Sequence, residues 1–210
     1  MAFDLSFLYF IIALVVVTTV HEFSHAWVAN FLGDPTAKLA GRISLNPLRH
    51  LDPVGTIMLF IAHIGWGKPV PVNPRYFSHP KRDNALTALA GPFSNLVLAI
   101  FLAIPLRYFD AYLIPQVRDS LNTLWEVSVF LFAFNMLPFP PLDGSKFIGI
   151  FIPARFSLAY ERYLEQGMLY FVVFLLFDQF ILGQYFNFSI LQYFLGSIFV
   201  FIRTLIFLGT

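Results

Sequence analysis

The 210-residue chain contains no cysteine. Disulfides, thiolate nucleophiles and Cys-ligated metals are therefore excluded. Charge is scarce as well: Asp, Glu, Lys and Arg make up 12% of the residues, against about 25% in soluble domains. With a net charge of +1, and no basic run or basic patch interleaved with aromatics, nothing points to a nucleic-acid partner. There is no internal repeat, no low-complexity segment and no lipidation motif. No polar stretch is long enough to fold as a separate soluble domain. One domain is expected over 1–210, with a core at 5–150 and C-terminal helices at 151–210. The start, Met1-Ala2-Phe3-Asp4, lacks the positive charge of a signal peptide, so the first apolar run reads as a retained helix.

Apolar residues are abundant: 58% hydrophobic and 19% aromatic. This composition predicts an all-α polytopic membrane protein in a lipid bilayer. About five transmembrane helices are expected, plus a re-entrant segment with a small β element.

The first helix, about residues 5–32, contains His21-Glu22-Phe23-Ser24-His25. On a helix, His21 and His25 project from one face, one turn apart. Two imidazoles so spaced can hold one Zn2+, with Glu22 near enough to take a proton from a metal-bound water. The plainer reading is a pair of helix histidines satisfied by backbone or carboxylate partners. In an apolar helix of membrane length that reading loses weight, because polar groups there have no water to fall back on. Gly33-Asp34-Pro35 stops the helix. Phe23, mid-pentad, lies about 16 Å below that end, so the site is expected within the membrane and nearer one face.

A polar loop follows at 34–53. Residues 54–66 are apolar but too short to span, which suits a re-entrant segment. His63 within it is a candidate ligand, or more simply a polar residue lining a cavity. Three prolines in Lys68-Pro69-Val70-Pro71-Val72-Asn73-Pro74 leave an edge strand or an extended loop. His79, before Pro80, is expected to be exposed. A second full span, about 85–108, carries Gly91, Pro92 and Asn95, a small-residue notch where another helix can approach and Asn95 can hydrogen-bond across. A third, 120–137, ends in Asn135-Met136-Leu137-Pro138-Phe139-Pro140-Pro141-Leu142-Asp143-Gly144. That ending is either an ordinary exposed turn or a broken helix that folds back to put Asp143 beside the histidines as third ligand. Residues 145–165 suggest an interfacial helix. Apolar stretches at 167–182 and 186–206 complete the chain.

Several of these motifs, in this order, resemble the site-2 protease family of intramembrane zinc metalloproteases. They are the His-Glu-x-x-His helix, Gly91-Pro92 with Asn95, the stretch 135–144, Arg42-Ile43-Ser44-Leu45-Asn46-Pro47 and Lys68 to Pro74. The resemblance covers roughly 10–150 and is to the compact prokaryotic branch, without PDZ or CBS domain. It implies one Zn2+ per chain held by His21, His25 and Asp143, with Glu22 as base. It also matches Asn95 and Asn135 to polar active-site positions. The expected activity is hydrolysis of a peptide bond in or near a transmembrane segment of another protein. Asn95 or Asn135 would help hold the substrate or the oxyanion, and Val70 and Val72 would offer N–H groups to an extended substrate. A non-proteolytic chaperone or receptor of the same fold would show a lost base or ligand, and none is lost. A zinc carrier would spread polar sites along its spans, whereas here they gather at one.

If the first helix ends in the cytoplasm, eleven Lys and Arg fall on that side, Arg203 among them. Only Arg107 and Arg118, of the 13 in the chain, fall on the other. The positive-inside rule then opens the site to the cytoplasm, and a prokaryotic cell membrane is the expected location.

Overall fold

A computed structural model describes residues 5–62 and 65–207; His63 lies outside the described residues. α1, Leu5–Phe31, is the central element. Its buried positions include Ala13, Val17, His21, His25 and Ala29, a stripe with a residue at every fourth position and therefore one face. The helix ends at Gly33, whose φ of 108° admits glycine most readily. Beyond it, the fully buried Asp34 accepts from Thr36 N–H at 2.9 Å and from Asn73 N–H at 2.7 Å. One carboxylate thus ties the end of α1 to a segment 39 residues further along. A single turn, α2, Thr36–Leu39, follows.

α3, Pro53–Ala62, has 10 residues, about 15 Å of helix and half a bilayer core. The chain leaves and returns at one level, because Leu51 and Gly67 form an isolated antiparallel bridge and Lys68 N–H donates to the His50 carbonyl at 2.7 Å. That bridge is the extent of β structure among the described residues, so the expected small β element is an extended arm, 67–73, rather than a strand. Pro69 and Pro71 remove two donors from the arm, and Arg42 occupies the Lys68 and Pro69 carbonyls through its guanidinium.

α4, Pro80–Tyr108, runs unbroken through Pro92 and Pro105. Asp83 Oδ2 accepts the His79 N–H at 3.0 Å near its start, and His79 itself is exposed. α5, Pro115–Asn135, returns beside α1 and α4. α1, α4 and α5 form the bundle. The expected notch is a close approach: a Cβ on Gly91 would sit 2.4 Å from His25 Nε2 and 2.6 Å from His21 Nε2. α6, Asp143–Ile148, begins a new direction after the proline-rich break. α7, Ser157–Leu176, continues through a π-helical stretch, Phe177–Gly183, into α8, Gln184–Phe186. α9, Ile190–Phe207, packs against α4 and α5.

Among the described residues, four helical segments are long and apolar enough to cross a membrane: Leu5–Phe31, Pro80–Tyr108, Ala154–Phe186 and Ile190–Phe207. About five were expected. The difference lies at α5, whose 21 residues carry Arg118, Asp119 and Glu126.

The direction of α9 is fixed at both ends. Arg107 donates through Nη1 to the Ile206 carbonyl at 3.0 Å. Trp125, at the middle of α5, packs edge-on against Phe199 and Phe207. At the other end, Leu191 joins Leu137, Leu142 and Phe171. α9 therefore runs parallel to α4 and antiparallel to α5. Lys81, at the start of α4, donates to the Ile152 carbonyl. The chain between α5 and α9 thus passes the start of α4 and returns, at Leu191, to the end of α5 where it began.

Candidate metal centre

Three buried side chains from two elements converge. His21 and His25 come from α1, and Asp143 is the first residue of α6. Asp143 Oδ2 lies 3.1 Å from His21 Nε2 and 3.1 Å from His25 Nε2, and the two Nε2 atoms are 3.0 Å apart. These three atoms could hold a metal ion as the donors of a three-ligand site. The proline-rich break delivers Asp143: a Cβ on Gly144 would lie 2.4 Å from both the Met136 and Leu137 carbonyl oxygens. Only glycine lets α6 start against the end of α5.

The other ring nitrogens decide whether the site fits a metal. His25 Nδ1–H donates to the Thr87 carbonyl at 2.7 Å, which leaves the Nε2 lone pair free for a cation. His21 Nδ1 lies 3.0 Å from the Asn95 amide nitrogen, and the buried Asn95 amide oxygen has no partner. A histidine giving Nε2 to a metal carries its proton on Nδ1, so a metal-loaded site calls for the amide turned end for end, with its oxygen as the acceptor. Both histidines are thus oriented by a second contact, as metal-ligating imidazoles are. Two imidazole nitrogens and a carboxylate oxygen are a zinc donor set.

Lys146, three residues along α6, reaches Asp143 Oδ1 at 3.3 Å. Burial raises the Asp143 carboxyl, but His25, His21 and Lys146 outweigh it and hold the group well below the usual carboxylate range.

Glu22 sits where the arm crosses α1: its Oε2 accepts the Val70 N–H at 3.1 Å. The same arm is pinned by Arg42, 4% exposed, which donates to the Pro69 carbonyl at 3.0 Å and to the Lys68 carbonyl. Burial lowers the Arg42 guanidinium from its ordinary value and the Glu22 carboxylate acts the other way.

Val70, Val72 and Asn135 line one cavity with His21, Glu22 and His25. Asn135 also donates to the Leu131 carbonyl at 3.0 Å. Asn95 lies behind His21, fully buried, and lines neither cavity at the site. Arg42, Thr87 and Lys146 were not singled out as site residues from sequence. For Lys146 a signal existed, the i, i+3 spacing from Asp143 on a helix. The Thr87 contact is made by a backbone carbonyl and has no sequence signature.

The Bacillus subtilis (strain 168) protein named "Putative zinc metalloprotease YwhC" is 39% identical over 172 residues, 79% of this chain and 78% of that protein. This chain belongs to the site-2 protease family of zinc metalloproteases. Zinc is accordingly its cofactor. "Putative zinc metalloprotease Rip2" of Mycolicibacterium smegmatis is 34% identical over 130 residues, 59% of this chain and 49% of that protein. The chain thus spans about half the length of that relative. No protein-family model and no solved structure matches the chain.

Proposed function

We propose that this site-2 protease is an intramembrane zinc endopeptidase that cuts a peptide bond in or near a transmembrane segment of another membrane protein. The observation that carries the reading is the convergence of Asp143, from α6, on His21 and His25 of a helix of membrane length, with Glu22 beside His21. His21, His25 and Asp143 would hold the zinc, one per chain. When bound, zinc polarises the scissile carbonyl and brings a water's pKa towards neutrality. Glu22 takes the proton of the attacking water and returns it to the leaving amine. Asn135, on the cavity wall, is placed to hold the substrate backbone. Asn95 keeps His21 in the tautomer that presents Nε2.

The chain crosses the membrane four times in this reading, by α1, α4, α5 and α9. α7 and α8 lie along one face, since the chain enters them beside Lys81 at the start of α4 and leaves them, at Leu191, beside the end of α5. Arg203 then joins Arg107 and Arg118, and ten of the 13 Lys and Arg remain on the opposite side. The asymmetry still favours the cytoplasmic side of a prokaryotic membrane for the end of α1 and the polar cavity. The deciding experiment is cleavage of a tagged single-span substrate by the wild type and by Glu22→Gln. Product from the wild type alone supports the reading. Equal cleavage by both overturns it.

A further inference from the structure

Two cavities of opposite character meet at the metal centre. His21, Glu22 and Asn135 line both. The first, about 380 Å³, also holds Asn84, Thr87 and Lys146. The second, about 450 Å³, runs between α1, α3 and α5 and is walled by Leu14, Val15, Leu59, Phe60, Leu131 and Phe134. Both volumes fall in the range of ligand sites, about 300–1,000 Å³.

The apolar cavity follows from how α3 packs. Its hairpin closes on itself: a Cβ on Gly55 would lie 2.2 Å from the Trp66 carbonyl oxygen, and one on Gly65 would lie 2.9 Å from Leu59 Cβ. Against α1 it closes at two points. Phe60 meets Phe7 edge-on at a centroid distance of 6.4 Å. At the other end, a Cβ on Gly67 would be 3.1 Å from Thr18 Cγ2. Between these points the two elements stand apart, and the gap reaches Glu22.

We propose that this gap is the specificity pocket of the enzyme, and that it receives a large apolar side chain from the substrate residue flanking the scissile bond. The proposal rests on the proteolytic reading above. A peptide group held at His21, Glu22 and Asn135 directs a flanking side chain to one cavity or the other. The polar cavity suits the water and the charged ends that hydrolysis creates, since Lys146 and Asn84 are there to solvate them. Beyond the shared His21, Glu22 and Asn135, the second cavity offers such groups only the Thr18 and Thr56 hydroxyls against mostly apolar walls, and it is left to the side chain. A leucine or phenylalanine buried there contributes binding at the reacting bond itself. Alanine leaves the pocket partly empty, and asparagine enters it unpaired.

The test uses the full chain, zinc-loaded, in proteoliposomes, with a single-span substrate varied to Ala, Leu, Phe or Asn at each residue flanking the cleaved bond. At one of the two positions the wild type should prefer Leu or Phe over Ala by about tenfold or more. Leu14→Phe and Leu131→Phe, each of which narrows the pocket, should remove or reverse that preference while zinc content holds. A second readout needs no turnover: Glu22→Gln protein, with a photoreactive leucine at that substrate position, should cross-link to Leu59 or Leu131. Folded, zinc-loaded narrowing variants that keep the wild-type preference at both positions overturn the proposal. So does a cross-link that forms only outside the pocket, as when a lipid acyl chain fills it. Failure of the proteolytic reading looks different, since the wild type would then leave every such substrate uncut.

Discussion

Arg107 and Ile206 are joined by a hydrogen bond of 3.0 Å across 99 positions of chain. It sets the last helix beside the outer half of α4. The terminal carbonyls of α9 have no intrahelical donor, and a guanidinium there satisfies one of them while matching the negative end of the helix dipole.

Topology can be read by labelling, since the cysteine-free chain gives no background. Cysteines introduced at 112 and 203 should react with an impermeant maleimide on intact cells, and those at 40, 80 and 155 should be protected. Protection at 203 together with 40 would return α9 to the opposite orientation and restore an extra crossing.

Charge counting from sequence placed Arg203 with the cytoplasmic set because alternate apolar stretches were read as alternate crossings. Mean hydropathy cannot distinguish a helix that crosses from one that lies along a face. The stretch Ala154–Phe186 passes on length and composition; in the proposed topology the Lys81 contact at one end and the Leu191 cluster at the other keep it on one side. The three candidate ligands, which the fold brings together, were legible for the opposite reason. Imidazole and carboxylate groups in an apolar chain stand out, and the His21/His25 spacing is fixed by helix geometry. The arm at 67–73 was half legible. Its prolines forecast extended backbone, but nothing in the sequence showed that Arg42 takes two of its carbonyls or that Glu22 takes the Val70 N–H.

Glu22→Gln keeps size and shape but removes the proton acceptor. Zinc content by metal analysis should be unchanged, and turnover should fall by at least about 100-fold. A zinc-loaded variant with near-normal turnover would remove Glu22 from the role of base.

In the proposed site Asn95 would act on zinc through His21. Asn95→Ala leaves all three ligands in place but strips the acceptor from His21 Nδ1–H. Zinc affinity should fall by about 10–100-fold, the usual effect of losing such a partner, whereas His21→Ala, His25→Ala and Asp143→Ala should each leave the site largely empty. Unchanged affinity in Asn95→Ala would mean that packing alone orients His21.

Gly91→Ala adds one methyl where α4 meets the histidines. With His25 Nε2 2.4 Å from the new Cβ, either the helices separate or the rings turn away. The cost in stability should be about 1–3 kcal/mol, with zinc binding impaired although no ligand is changed. Gly196→Ala on α9, where a Cβ meets nothing within 4 Å, is the matched control and should be tolerated.

The arm over Glu22 makes the last prediction. A transmembrane substrate arrives as a helix whose carbonyls are already bonded, and attack requires an extended segment whose backbone groups find partners in a site with little water. Val70 and Val72 lie on the cavity wall, two apart, so their N–H groups point the same way. The Val70 N–H is held by Glu22; the Val72 N–H has no acceptor among the described residues. A substrate strand pairing along this edge would take the Val72 N–H at once and the Val70 N–H as Glu22 turns to the water. Val72→Pro is therefore the cleaner substitution, because Val70→Pro also strips a contact from the base. Val72→Pro should cut turnover of a transmembrane substrate by about tenfold or more, a loss expected when a backbone donor to the reacting segment is removed, with zinc content unchanged. Val72→Ile, which keeps the N–H, should behave as wild type. If Val72→Pro cleaves at the wild-type rate, the arm serves to position Glu22 through Val70 and takes no part in pairing with substrate.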